Sequence, residues 1–143
     1  MTLYLDTSSL LKFHIEEEGS ESLRRLMASR QSFAMSRVAY PEARSGLARA
    51  HRAGRLTEAE YRNAIRSLEI QWMGVLILDL SDKLSRWAGN LAERYLLRGF
   101  DAIHLASALA FQESIDEQVT FSAWDDRLLT AARAEGLTIA PTA

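Results

Sequence analysis

Four acidic residues, far apart in the chain, sit in comparable local settings. Asp6 ends the apolar run Leu3-Tyr4-Leu5 and precedes Thr7-Ser8-Ser9. Glu42 follows Pro41 in the first turn of an expected helix, itself preceded by an expected strand. Asp101 opens the apolar stretch Ala102 to Ala110, and Asp125 follows the expected strand Val119-Thr120-Phe121 and opens the next helix. If the intervening elements alternate between strand and helix, all of these carboxylates collect at the carboxyl edge of one sheet, where open α/β folds bind ligands. Carboxylates gathered in one place repel and raise one another's pKa values unless a cation neutralises them. Hard oxygen ligands suit Mg²⁺ or Mn²⁺, whose open coordination positions can take a phosphate oxygen and an attacking water. That is the chemistry of phosphodiester hydrolysis. Singly, each residue has a plainer reading: Asp101 and Asp125 as helix caps, Glu42 as a solvated first-turn glutamate stabilised by the helix dipole. Asp6 is the hardest to read that way.

The elements that must position these groups follow from periodicity and punctuation. Leu3 to Leu5 reads as a buried strand, Ser8 to Ile15 as a short helix broken by Glu16 to Gly19, and Ser20 to Arg30 as a second helix with Leu23, Leu26 and Met27 on one face. Ser32 to Ser36 is a short strand. A helix starts near Arg37 to Pro41, where proline is tolerated in the first turn, and runs to Ala53 before Gly54. Thr57 and Glu60 have the spacing of a capping box at the head of a helix that carries Tyr61, Ala64, Ile65, Leu68 and Trp72 to Gly74. Val75 to Leu80 is expected as a buried strand. Ser81 or Asp82 caps a helix through Leu84, Trp87, Leu91 and Tyr95. The helix from Asp101 is apolar or small on nearly every side, which places it centrally against the sheet. Val119 to Phe121, a helix from Asp125 to Glu135, and Leu137 to Ala140 complete the alternation. This pattern predicts an α/β fold, a three-layer α/β/α sandwich with a mainly parallel central sheet.

At 143 residues the chain is expected to be a single domain spanning 1–143, and its 48% hydrophobic content fits a folded core. With no cysteine, disulfides, thiol nucleophiles and cysteine zinc sites are excluded, which suits a reducing, cytoplasmic setting. The N-terminus lacks a basic stretch followed by a long apolar run, so no signal peptide is expected. No apolar run approaches the roughly 20 residues that span a bilayer, so no membrane partner is expected. The formal charge of −2 does not restrict the partners, because a basic face can coexist with an acidic site.

Four stretches carry a family resemblance: LDTSSLLKFHIEEEGS, SRVAYPEARSGLARA, RGFDAIHLASAL and FSAWDDRLLTAARAEGL. In order, spacing and overall length they resemble the motifs of PIN-domain ribonucleases, in particular the toxin members of VapBC-type toxin–antitoxin pairs. The resemblance implies that Asp6, Glu42, Asp101 and Asp125 form the acidic metal-binding quartet, with Asp6 and Asp101 as principal ligands. Glu42 and Asp125 would complete the site directly, through water, or by activating the nucleophile, and Ser8 would support it by hydrogen bonding. The implied activity is Mg²⁺- or Mn²⁺-dependent endonucleolytic cleavage of RNA. The implied partners are a small VapB-like antitoxin and a second copy of the chain in a homodimer. One position departs from the pattern: Ala123 stands where relatives often carry serine or threonine. The neighbouring Asp126 is an alternative to Asp125.

Other features admit more than one reading. Arg44, Arg49 and Arg52 belong to an arginine-rich segment reaching Arg66 that could contact phosphates and position RNA near the acids or be simply solvated; the family resemblance implies a third reading, a dimer or antitoxin face. His14, His51 and His104 lack metal-ligand spacing. His104, one turn after Asp101, reads either as a packed helical histidine or as a residue that orients Asp101. Trp124 lies beside the proposed site and reads as core, as a pocket wall or as a platform for a base. Two competing functional classes are a receiver-like α/β domain and a non-catalytic scaffold that binds partners. The first strand lacks the adjacent acidic pair of a receiver, and a scaffold has no need for clustered negative charge.

Overall fold

The computed structural model describes residues 2–29 and 32–141. Among them the chain alternates as expected. In order come β1 (Thr2–Leu5), α1 (Thr7–His14), α2 (Ser20–Ala28), β2 (Ser32–Ser36), α3 (Ala39–Arg52) and α4 (Glu58–Met73). There follow β3 (Leu76–Leu78), α5 (Asp82–Tyr95), α6 (Gly99–Ile115), β4 (Val119–Ser122), α7 (Asp126–Ala134) and β5 (Thr138–Ala140). The expected end of α2 at Arg30 lies outside the described residues.

The sheet order is β3-β2-β1-β4-β5, and every pairing is parallel. The chain first builds outward from β1 through β2 to β3. It then crosses to the other side of β1 to lay down β4 and β5. The direction reverses between β1 and β4, so the topological switch point lies at the carboxyl ends of these two strands.

Alternation along β1 explains the three layers. Leu3 and Leu5 face a core built with Leu10, Leu23, Met35, Ala43, Leu47 and Leu68, on the side of α1 to α4. Tyr4 faces the opposite core, with Leu91, Leu105, Phe121, Leu128 and Ala132, on the side of α5 to α7. With both faces covered, β1 has no solvated side and reads as continuous apolar sequence. Complete burial of side chains such as Leu3 and Leu5 stabilises the fold by about 1.5–3 kcal/mol each. The apolar helix α6 is central as expected, with Ala102, Leu105, Ala106, Ala108 and Leu109 buried. The Thr57–Glu60 capping box is formed in both directions.

Three expectations are corrected. Val75 to Leu80 is not a buried strand. Only Leu76–Leu78 pairs, at the edge of the sheet, and Leu76 and Leu80 are 49% and 41% exposed. An apolar run does not reveal whether its strand has one neighbour or two. Helix α6 starts at Gly99 with Arg98 at the cap, so Asp101 sits inside the first turn and caps nothing. The small hydroxyl residues Thr7-Ser8-Ser9, which from their type could cap the helix, do not cap α1; Asp6 itself does, accepting from the Ser9 N–H.

Candidate active site

Asp6, Glu42, Asp101 and Asp125 line one cavity of about 370 Å³ at the switch point, together with Thr7, Ser8, Lys12, Glu17, Arg98, His104 and Trp124. β1 delivers Asp6, β2 and the start of α3 deliver Glu42, α6 delivers Asp101, and the loop after β4 delivers Asp125. The two strand ends that flank the switch point thus supply Asp6 and Asp125. Asp126 lines an adjoining depression that shares Arg98, Asp101, Trp124 and Asp125 with the acidic cavity, and it does not line the cavity itself.

Each carboxylate is held by its own donors. Asp6, 3% exposed, takes the Ser8 hydroxyl at 2.7 Å and the Ser9 N–H at 2.9 Å, both on Oδ1. Ser8 thus makes the hydrogen bond that the expected supporting role would use. Asp125 caps α7, its Oδ1 accepting from the Leu128 N–H at 2.9 Å. No hydroxyl among the described residues supports Asp125, as the alanine at 123 implies; nearby Ser122 is turned to Ser9, Oγ to Oγ at 2.7 Å. Asp101 Oδ2 accepts from Arg98 Nε at 3.2 Å.

Glu42 is held by two residues that the sequence reading did not assign to it. The Thr7 hydroxyl donates to Glu42 Oε1 at 2.5 Å, and His104 Nε2 lies 3.0 Å from the same oxygen. His104 is 1% exposed, and its Nδ1 lies 2.8 Å from the Tyr4 hydroxyl. With the proton on Nε2 both bonds are satisfied: Nε2–H donates to Glu42 and Nδ1 accepts from Tyr4. Burial pushes the Tyr4 phenol well above its usual pKa, so it keeps the proton it donates. His104 therefore orients Glu42, not Asp101. The only sequence signal was its place one turn after Asp101, because its partners Tyr4, Thr7 and Glu42 are 100, 97 and 62 residues away.

The electrostatics separate the acids. Burial raises the pKa of Asp6, and the Asp101 charge adds to it, against partial relief from His104, Ser8 and the Ser9 N–H. Burial also pushes Glu42 up, but the bonds from His104 and Thr7 outweigh it, and its pKa falls below the ordinary carboxylate value. Asp6 thus stays raised despite His104 and its two hydrogen bonds, while Glu42 is secured as an anion.

The donor set fits a hard divalent cation. Among the described residues no three Asp, Glu or His side chains are drawn together at metal-ligand spacing. Each carboxylate is hydrogen-bonded to a protein donor. In every case those bonds use a single oxygen, leaving Asp6 Oδ2, Glu42 Oε2, Asp101 Oδ1 and Asp125 Oδ2 without a protein partner among the described residues. Ionised carboxylates have acceptor capacity to spare on those atoms, and all four residues line one cavity. Arg44, Arg49 and Arg52 do not line it. Arg44 donates to the Tyr40 hydroxyl and Arg49 to the Ser45 hydroxyl. The cations that do line it are Lys12 and Arg98.

Fold and cavity together define a parallel α/β/α protein with a carboxylate-lined cleft at the switch point of its sheet. The family model of the PIN domain matches residues 3–121, and the chain belongs to that family. It is 40% identical over 139 residues to ribonuclease VapC45 of Mycobacterium tuberculosis, covering 97% of this chain and 94% of that protein. It is 32% identical over 143 residues to ribonuclease VapC46 of the same species, covering 96% and 95%. The fold is also that of the solved structure of VapC20 from M. tuberculosis, described as a sarcin-ricin loop cleaving toxin, at TM-score 0.67 and 18% identity over 95% of this chain and 96% of that one.

Proposed function

We propose that this protein is a Mg²⁺- or Mn²⁺-dependent endoribonuclease, the toxin component of a type II toxin–antitoxin pair. The observation that carries the reading is the convergence of Asp6, Glu42, Asp101 and Asp125 on one cavity, each with an oxygen to spare. The relatives named as ribonucleases, matched over nearly their whole length, support the choice of RNA as substrate.

The four carboxylates would hold the cation, which supplies a lowered water pKa and charge to screen the phosphate and the leaving oxygen. Ser8 and the Ser9 N–H fix Asp6. Thr7 and His104 fix Glu42 as an anion, which suits it to orient the attacking water, directly or through a second water. Cleavage leaves a 5′-phosphate and a 3′-hydroxyl.

The partners that fit this reading are a VapB-like antitoxin, supported by the solved VapBC2 complex of Rickettsia felis, which shares the fold at TM-score 0.64, and a second copy of the chain. No described helix is long and apolar enough to cross a membrane, and the proposed setting is the cytoplasm. The test is incubation of RNA with the purified protein in Mg²⁺ or Mn²⁺ and in EDTA, followed by analysis of product ends. Metal-dependent fragments with 5′-phosphates are expected. Cleavage unaffected by EDTA, or 2′,3′-cyclic ends, would overturn the reading.

A further inference from the structure

We propose that Lys12 is a substrate-binding residue whose ammonium takes an RNA phosphate at the mouth of the acidic cavity. The inference rests on the ribonuclease reading and adds a subsite to it. The cavity is lined by Glu17 as well as by the quartet, so an anionic strand approaching it meets concentrated negative charge. Of the two cations lining it, Arg98 is engaged with Asp101 and its side chain is 80% exposed. Lys12 is different: its side chain is only 16% exposed, and its head group is fixed on several sides. Nζ donates to Glu17 Oε1 at 3.2 Å and to the Glu18 carbonyl at 2.8 Å, and it lies 4.9 Å from the centroid of the Trp124 ring.

Those supports are themselves held. Arg55 grips the other oxygen of Glu17 at 2.7 Å. Trp124 packs so closely on Gly19 that a Cβ there would come within 2.6 Å of the ring. Lys12 stands one helical turn from Ser8, which holds Asp6, so the same face of α1 presents both. An ammonium has three donors, and only two are used by oxygens among the described residues. A point charge fixed in this way loses little side-chain freedom on meeting a phosphate. The rival role, a staple that only closes the turn between α1 and α2, needs the same bonds but no cavity.

The experiment uses the full chain as Asp6→Asn, to suppress cleavage, with and without Lys12→Gln or Lys12→Arg. Anisotropy of a short labelled single-stranded RNA of mixed sequence is measured in Mg²⁺ over a NaCl series, with melting curves alongside. Glutamine retains hydrogen-bonding donors for the turn and removes the charge. Loss of one charge-assisted phosphate contact predicts roughly tenfold weaker binding. It also predicts a salt slope shallower by about 0.7, and arginine should restore both. Unchanged affinity and slope, with only a lower melting temperature, would overturn the proposal in favour of the staple. If the parent Asp6→Asn protein binds no RNA, the subsite proposal fails, while metal-dependent cleavage by the native protein decides the ribonuclease reading separately.

Discussion

Asp6 carries a carboxylate at 3% exposure, beside Asp101 and without an ion-pair partner. Folding raises its pKa, so at pH values above the folded pKa its charge destabilises the metal-free fold. The penalty fades as pH falls from the raised value toward the ordinary 3.8, below which both states are protonated. Asp6→Asn should therefore raise the urea midpoint in EDTA at neutral pH, and the gain should vanish in acid. Glu42 has the opposite sign: its depressed pKa contributes stability above the ordinary carboxylate range, and that contribution is lost as pH falls through the folded pKa. His104 is the positioning residue of the site. His104→Ala leaves the Tyr4 hydroxyl and Glu42 short of a partner. Urea titration should show a loss of about 2–4 kcal/mol. Cleavage should fall about 10–100-fold, the range seen for residues that orient metal ligands.

At the scale of elements, the turn between α1 and α2 sets the wall of the cavity. Gly19 has φ +92° and lies against Trp124. Gly19→Ala combines left-handed strain of about 1–2 kcal/mol with overpacking of about 1–3 kcal/mol. Gly54 has φ +80° but nothing within 4 Å, so Gly54→Ala should show the strain alone. Thermal melts of the two variants, read together, separate the terms: Gly19→Ala should melt clearly lower than Gly54→Ala, and equal melting would contradict the packing. Most elements were legible because their signals are local: Thr57 with Glu60, Pro41 in a first turn, the glycine at 54. Two boundaries were not. The start of α6 carries no capping side chain at Arg98, so Asp101 read as the first helical residue. The edge position of β3 is a property of the sheet order and has no counterpart in the composition of Val75 to Leu80.

Across the whole molecule, the crossover from β3 to β4 gathers acids from four separate parts of the chain at the ends of β1 and β4. The quartet was legible because each acid follows a strand or opens a helix. Thr7 and Lys12 were not legible as lining the cavity, and His104 was legible only as a neighbour of Asp101, because the contacts with Glu42, Tyr4 and Trp124 are created only by the folded chain. A cation that binds only the folded protein should stabilise it by about 2.7 kcal/mol at a concentration of 100 times its Kd. Differential scanning fluorimetry should show that gain with Mg²⁺ or Mn²⁺ and its removal by EDTA.

The most direct test of the acidic site is RNA cleavage by the native protein and by Asp6→Asn, side by side in the same metal, with melting curves for both. The account predicts that Asp6→Asn is folded, melts at least as high as the native protein in EDTA, and does not cleave. Cleavage at the native rate by the folded variant would contradict it and place the chemistry elsewhere.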